Sequence, residues 1–131
     1  MAAVRIDGIA TLANFGVLES DGDGIVMRDG STPTLTNVTV AGARNLAYVL
    51  GSSARPIFNN VTSTRSGFDG VYLPASILQA NYTWNFSGLP LYIDGTYFVG
   101  GGVTLTIAAG QTILFRTNGS YLNVSDRKSV V

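Results

Sequence analysis

Four asparagines recur in one local setting: Thr11-Leu12-Ala13-Asn14-Phe15-Gly16-Val17, Thr34-Leu35-Thr36-Asn37-Val38-Thr39-Val40, Ile57-Phe58-Asn59-Asn60-Val61-Thr62 and Leu78-Gln79-Ala80-Asn81-Tyr82-Thr83. Their separations of 23, 23 and 21 residues mark a repeat protein. Each copy holds only short β-branched and apolar runs bounded by Gly, Asp, Asn and Ser. That pattern suits a coil of short strands and is unlike a pair of helices.

A second register runs beside the first. Gly24-Ile25-Val26-Met27, Ala47-Tyr48-Val49-Leu50 and Gly70-Val71-Tyr72-Leu73 are again 23 apart, and Pro90-Leu91-Tyr92-Ile93 follows after 20. Strand side chains alternate between faces. Ile25, Tyr48 and Val71 should therefore share one face with Met27, Leu50, Leu73 and Ile93, and Val26, Val49, Tyr72 and Tyr92 the other. Turns are expected at Asp23-Gly24, Asp29-Gly30, Asp69-Gly70, Asp94-Gly95, Ala41-Gly42, Gly51-Ser52-Ser53 and Ser66-Gly67. The whole predicts an all-β, single-stranded parallel β-helix of about five or six rungs with a period near 23 residues.

The rung Pro33-Thr34-Leu35-Thr36-Asn37-Val38-Thr39-Val40 and the stretch from Tyr82-Thr83-Trp84 through Gly88-Leu89-Pro90-Leu91-Tyr92 to Gly102-Val103-Thr104-Leu105 and Gln111-Thr112-Ile113-Leu114-Phe115 resemble right-handed parallel β-helix proteins of the pectin-lyase-like superfold. The second stretch is similar to a segment of large microbial surface proteins. The resemblance covers almost the whole chain and implies a right-handed coil. It implies little about activity, because this superfold hosts enzymes, adhesins and passive stalks. In such coils a turn asparagine bonds its equivalents in adjacent rungs, and Asn14, Asn37, Asn60 and Asn81 are assigned to that ladder.

Composition narrows the functional classes. Only 12% of residues are charged and the formal net charge is zero, so the basic footprint of a nucleic-acid binder is missing. Arg5, Arg28, Arg44, Arg55, Arg65 and Arg116 are scattered, and the one lysine is Lys128. No apolar run approaches the roughly 20 residues of a membrane-spanning helix. Met1-Ala2-Ala3-Val4-Arg5-Ile6-Asp7 lacks the apolar stretch of a secretory signal. Without cysteine there is no disulfide framework, and without histidine or cysteine the commonest general base and a strong nucleophile are gone.

Several local features bear on chemistry. Glu19-Ser20-Asp21-Gly22-Asp23-Gly24 crowds three carboxylates into half of a calcium-type loop, but no second glutamate follows to complete a bidentate ligand. A solvated turn accounts for it, and no metal or cofactor is expected. Asp23 and Asp69 fall two rungs apart, roughly 9–10 Å by rung spacing, a separation that also suits a pair of glycosidase carboxylates. Both precede glycine at one repeat position, where a turn explains them. Asn-x-Ser/Thr triplets at Asn37, Asn60, Asn81, Asn85, Asn118 and Asn123 read as by-products of the repeat rather than as glycosylation sites. A flat ice-binding threonine array is broken, since Thr34-Leu35-Thr36 is matched by Thr11-Leu12-Ala13 and Ile57-Phe58-Asn59. With Tyr72 and Tyr92 at the outward position of adjacent rungs and Trp84 near the following turn, these three are candidate sugar-stacking residues, the alternative being that Trp84 and one tyrosine cover the core or plug a turn.

The expectation is a non-enzymatic structural or adhesive segment, residues 1–125, of a larger extracellular or cell-surface protein, with contacts to glycans. The alternative is a carbohydrate-active coil, hydrolase or lyase, whose catalytic rungs lie mostly elsewhere. Uncapped coil ends would expose strand edges and favour end-to-end self-association. Residues 126–131, Asp-Arg-Lys-Ser-Val-Val, are the translation of GATCGGAAGAGCGTCGTG, which resembles a short-read sequencing adapter. They are expected to be a disordered tail foreign to the natural chain, which would then be a piece of a longer one.

Overall fold

Runs such as Leu-Thr-Asn-Val-Thr-Val are too short and too β-branched for a helix, and they bury one edge only if the chain returns beside itself. It does so about five times, with no helix among the described residues. The computed structural model describes residues 1–116, 119–124 and 129–131. Strands β1 (Ala2–Ile6) and β2 (Thr11–Leu18) form the first turn, β3 (Asp23–Met27) and β4 (Thr34–Ala41) the second, and β5 (Leu46–Leu50) and β6 (Ile57–Thr64) the third. Next come β7 (Phe68–Leu78) with β8 (Tyr82–Trp84) and β9 (Leu91–Val99) with β10 (Thr104–Ile107), then β11 (Ile113–Phe115), β12 (Tyr121–Asn123) and β13 (Ser129–Val130). Equivalent strands pair in parallel, which makes the molecule a β-solenoid.

One seven-stranded sheet, β1-β3-β5-β7-β9-β11 with β12 also on β9, runs through every turn. The opposite wall is spliced. A sheet β2-β4-β6 covers the first three turns, and a separate sheet β8-β10-β13 covers the rest. The predicted faces hold: Ile25 pairs with Tyr48 and Met27 with Leu50, Tyr48 with Val71, and Leu73 with Ile93, all buried. Val26, Val49, Tyr72 and Tyr92 lie half-exposed on the outer side.

Residues with left-handed backbone make the corners, in columns 22 or 23 residues apart: Gly8, Gly30 and Ser53; Asn14, Asn37 and Asn60, each at φ 53°; and Glu19, Gly42 and Arg65. Asparagine is the residue with a β-carbon that best tolerates this region. The corner also resets the side-chain alternation, so Leu35 and Val38, three residues apart, both point inward. At Gly42 a β-carbon would meet the Glu19 carboxylate at 2.5 Å, and that carboxylate reaches across the glycine to Arg65 at 3.1 Å.

The core changes character at the splice. Tyr48, Phe58 and Phe86 form a chain of ring contacts with centroids 5.5 and 5.3 Å apart, and Trp84 packs on Tyr97 at 5.2 Å. These large rings fill the space where β6 ends its sheet and β8 begins another. The Tyr48 hydroxyl donates to the Thr62 carbonyl at 2.8 Å, and burial pushes its pKa up.

Three turn expectations are corrected. Asp23-Gly24 and Asp69-Gly70 lie at the start of strands β3 and β7, and Asp94-Gly95 lies inside β9, instead of forming turns. Gly24 is needed there for space, because a β-carbon would lie 2.5 Å from the Ala47 carbonyl oxygen. In the expected tail, residues 126–128 lie outside the described residues, and Ser129–Val130 pairs in parallel with β10.

Candidate functional site

The register of the long sheet aligns one outward position from turn to turn: Arg5, Val26, Val49, Tyr72, Tyr92 and Leu114. An apolar and aromatic stripe of this kind on an outer sheet face is the feature that most asks for a partner. Tyr72 and Tyr92 meet edge to face, with ring centroids 6.4 Å apart and planes at 85°. Phe68, at the start of β7, packs on the other side of Tyr92 at 4.9 Å. Sequence reasoning missed Phe68 because the Asp69-Gly70 pair beside it reads as a turn. The three rings border a shallow hollow of about 480 Å³, with Arg44 and Arg116 at its rim.

Electrostatics fix the Tyr72 ring. Its hydroxyl donates to Asp94 Oδ2, and the Arg116 guanidinium donates to the same oxygen at 3.0 Å. The Tyr72 hydrogen bond, helped by Arg116, holds the Asp94 carboxyl below the usual range. Burial and then the Asp94 carboxylate push the Tyr72 phenol up, so at neutral pH it stays a hydrogen-bond donor. The hydrogen bond and charge of Asp94, and after them Tyr72, raise the Arg116 guanidinium further.

Trp84 does not join this face. It is fully buried against Tyr97, because Tyr82 and Trp84 point inward on β8 while Thr83 points out. The indole therefore belongs to the core.

The asparagines divide as well. The Asn37 amide donates to Asn14 Oδ1 at 3.0 Å and the Asn60 amide to Asn37 Oδ1 at 2.8 Å. Asn81 is not the next member of this series. Its Oδ1 accepts the Thr104 backbone N–H at 2.8 Å, in the other sheet. Ser87 follows Asn60 instead, again with positive φ, and its Oγ accepts the Val61 N–H at 3.2 Å.

The carboxylates are dispersed. Glu19 pairs with Arg65 and Asp21 with Arg44, and Asp23 accepts the Leu46 N–H at 3.1 Å. Asp69 accepts the Ser63 hydroxyl at 2.5 Å and the Ser66 N–H at 3.0 Å. Among the described residues no three potential metal ligands converge. Of the Asn-x-Ser/Thr triplets, the one at Asn118 lies outside the described residues. Asn37 and Asn60 have their side-chain amides engaged.

No protein-family model matches the chain, and no curated protein or solved structure is significantly similar to it.

Proposed function

We propose that the chain is a structural and adhesive β-solenoid segment, right-handed and of the pectin-lyase-like kind, from an extracellular or cell-surface microbial protein. Its outer sheet face contacts glycans. The observation that carries this reading is the ring platform of Phe68, Tyr72 and Tyr92, flanked by Arg44 and Arg116. Aromatic rings present a flat apolar surface to the C–H face of a sugar, and the phenol and guanidinium groups at the edge hydrogen-bond its hydroxyls. The shared Asp94 contact holds Tyr72 in place before a ligand arrives, which lowers the ordering cost of binding.

The reading as a spacer draws support from how the carboxylates are used. Asp23 and Asp69, the pair with a hydrolase-like spacing, each accept a backbone N–H and so act as structural ties. End-to-end association belongs to the same proposal. The outermost strand β2 leaves Phe15 and Leu18 exposed, and Phe115 and Tyr121 are exposed in the last turns.

A glycan array probed with the wild type, Tyr72→Ala and Tyr92→Ala tests the face. Binding that disappears in both variants is the expected result, and binding indifferent to both removes the platform from consideration. Release of reducing ends or unsaturated products from polysaccharides would favour the carbohydrate-active alternative. Light scattering that stays monomeric at high concentration would count against association.

A further inference from the structure

The splice between the two shorter sheets leaves a groove of about 650 Å³ on the side of the solenoid away from the Tyr72 face. One bank is the edge of β6 at Ile57 and Asn59. The other is the outer surface of β8 and β10, with Thr83, Asn85, Thr104 and Thr106. Phe58 and Tyr82 lie at its floor, where the Tyr82 hydroxyl donates to the Pro56 carbonyl at 2.5 Å.

The groove is bordered by polar side chains with unused hydrogen-bonding capacity. Some outward polar groups on neighbouring turns bond each other, as Thr39 does with Thr62 at 2.9 Å, Asn37 with both Asn14 and Asn60, and Ser52 with Ser76 at 3.1 Å. The side chains of Asn59, Thr83, Asn85 and Thr106 carry no hydrogen bond to any described residue, and they border one concavity.

We propose that this groove is a second binding site, separate from the ring platform, for a neutral saccharide. Amide and hydroxyl side chains each offer donors and acceptors, which is what a polyol requires. No charged side chain lines the groove, so nothing in it favours an acidic or a basic ligand. Ile57, exposed on the bank, supplies an apolar patch on which a sugar's C–H groups rest, with Phe58 buried beneath it. An extended peptide added to the open edges of β6 and β8 fits less well. Tyr82 already bridges to Pro56, and Ser87 already takes the Val61 N–H, so the slot between the two sheets is crossed at both places.

The test is a titration of the ¹⁵N-labelled full chain with maltohexaose, cellohexaose and, as the competing class, an extended threonine-rich octapeptide. Side-chain amide signals of Asn59 and Asn85 should move saturably with a neutral hexasaccharide. The affinity should fall at least about tenfold in Thr83→Ala and Asn85→Ala and hold in Tyr72→Ala. Thermal midpoints matching the wild type would show that both groove variants remain folded. Three outcomes overturn the proposal: no response up to about 10 mM sugar, a response confined to the surroundings of Tyr72 and Tyr92, or a response to the peptide alone. The second leaves the ring platform standing, so the two sites fail independently.

Discussion

Asn37 sits at the centre of a three-residue hydrogen-bond series and in a left-handed corner, so replacing it separates two contributions to stability. In Asn37→Ala the bonds to Asn14 and from Asn60 are lost. Each contributes about 0.5–1 kcal/mol at an exposed site. A β-carbon held at φ 53° without asparagine's local polar contacts adds about 1 kcal/mol. The sum is about 2–3 kcal/mol. Asn37→Gly loses the same bonds but relieves the corner, and with glycine's greater unfolded-state entropy it should cost about 1–2 kcal/mol. Asn37→Asp keeps an acceptor for Asn60 and loses only the donation to Asn14, about 0.5–1 kcal/mol. Asn14→Ala, with one bond at stake, should fall below Asn37→Ala. Urea denaturation resolves these differences: at a slope of about 1–3 kcal/mol per molar, the alanine variant should unfold about 1 M earlier. The reasoning fails if Asn37→Ala and Asn37→Gly are indistinguishable, or if Asn14→Ala is the more damaging change.

Trp84→Ala should destabilise by about 3–5 kcal/mol, because a fully buried indole leaves a cavity beside Tyr97; a thermal midpoint near that of the wild type would contradict its place in the core. Ser31 is fully buried and its hydroxyl finds no partner among the described residues, so Ser31→Ala should stabilise by about 1 kcal/mol, and a chemical denaturation curve shifted the other way would refute this. Asp94 has a folded-state pKa below its unfolded value of about 3.9, so its contribution is present above that pH and vanishes as the pH drops through the folded value. Stability measured from pH 6 to about 2 should therefore fall less steeply in Asp94→Asn than in the wild type; identical acid limbs would show that the carboxylate is not tied to folding.

The second and third turns were legible because their period equals their pairing register: residues 23 apart in sequence, such as Ile25 and Tyr48 or Leu35 and Phe58, are neighbours across the sheet. Between the first and second turns the walls differ, β1 pairing with β3 at 21 (25 minus 4) and β2 with β4 at 23 (34 minus 11), and from the fourth turn they differ again. Val71 pairs with Leu91, a separation of 20 (91 minus 71), and after an irregularity between Pro74 and Ser76 the separation becomes 21, as in Leu78 with Val99. Tyr82 pairs with Leu105 at 23 (105 minus 82). Asn81 mimics the repeat by spacing alone while standing just before β8 of the second short sheet, which is why its partner is Thr104. Trp84 misled for a related reason. Its inward direction is fixed by the start of β8, a boundary that no punctuation in Asn81-Tyr82-Thr83-Trp84 announces. Tyr72 and Tyr92 were readable because alternation is unbroken from Val71 to Leu73 and from Leu91 to Ile93, whereas the groove at the splice lies between two separate sheets and has no motif of its own.

Among the described residues only the long sheet crosses the splice with a continuous backbone ladder; on the opposite wall the bonds from Tyr82 to Pro56 and from Val61 to Ser87 span it. Tension applied along the axis would thus pass through a single face at that level. If the rod bends, it should flex there, opening or closing the wall lined by Asn59 and Thr83 while the ring-bearing side acts as the strap.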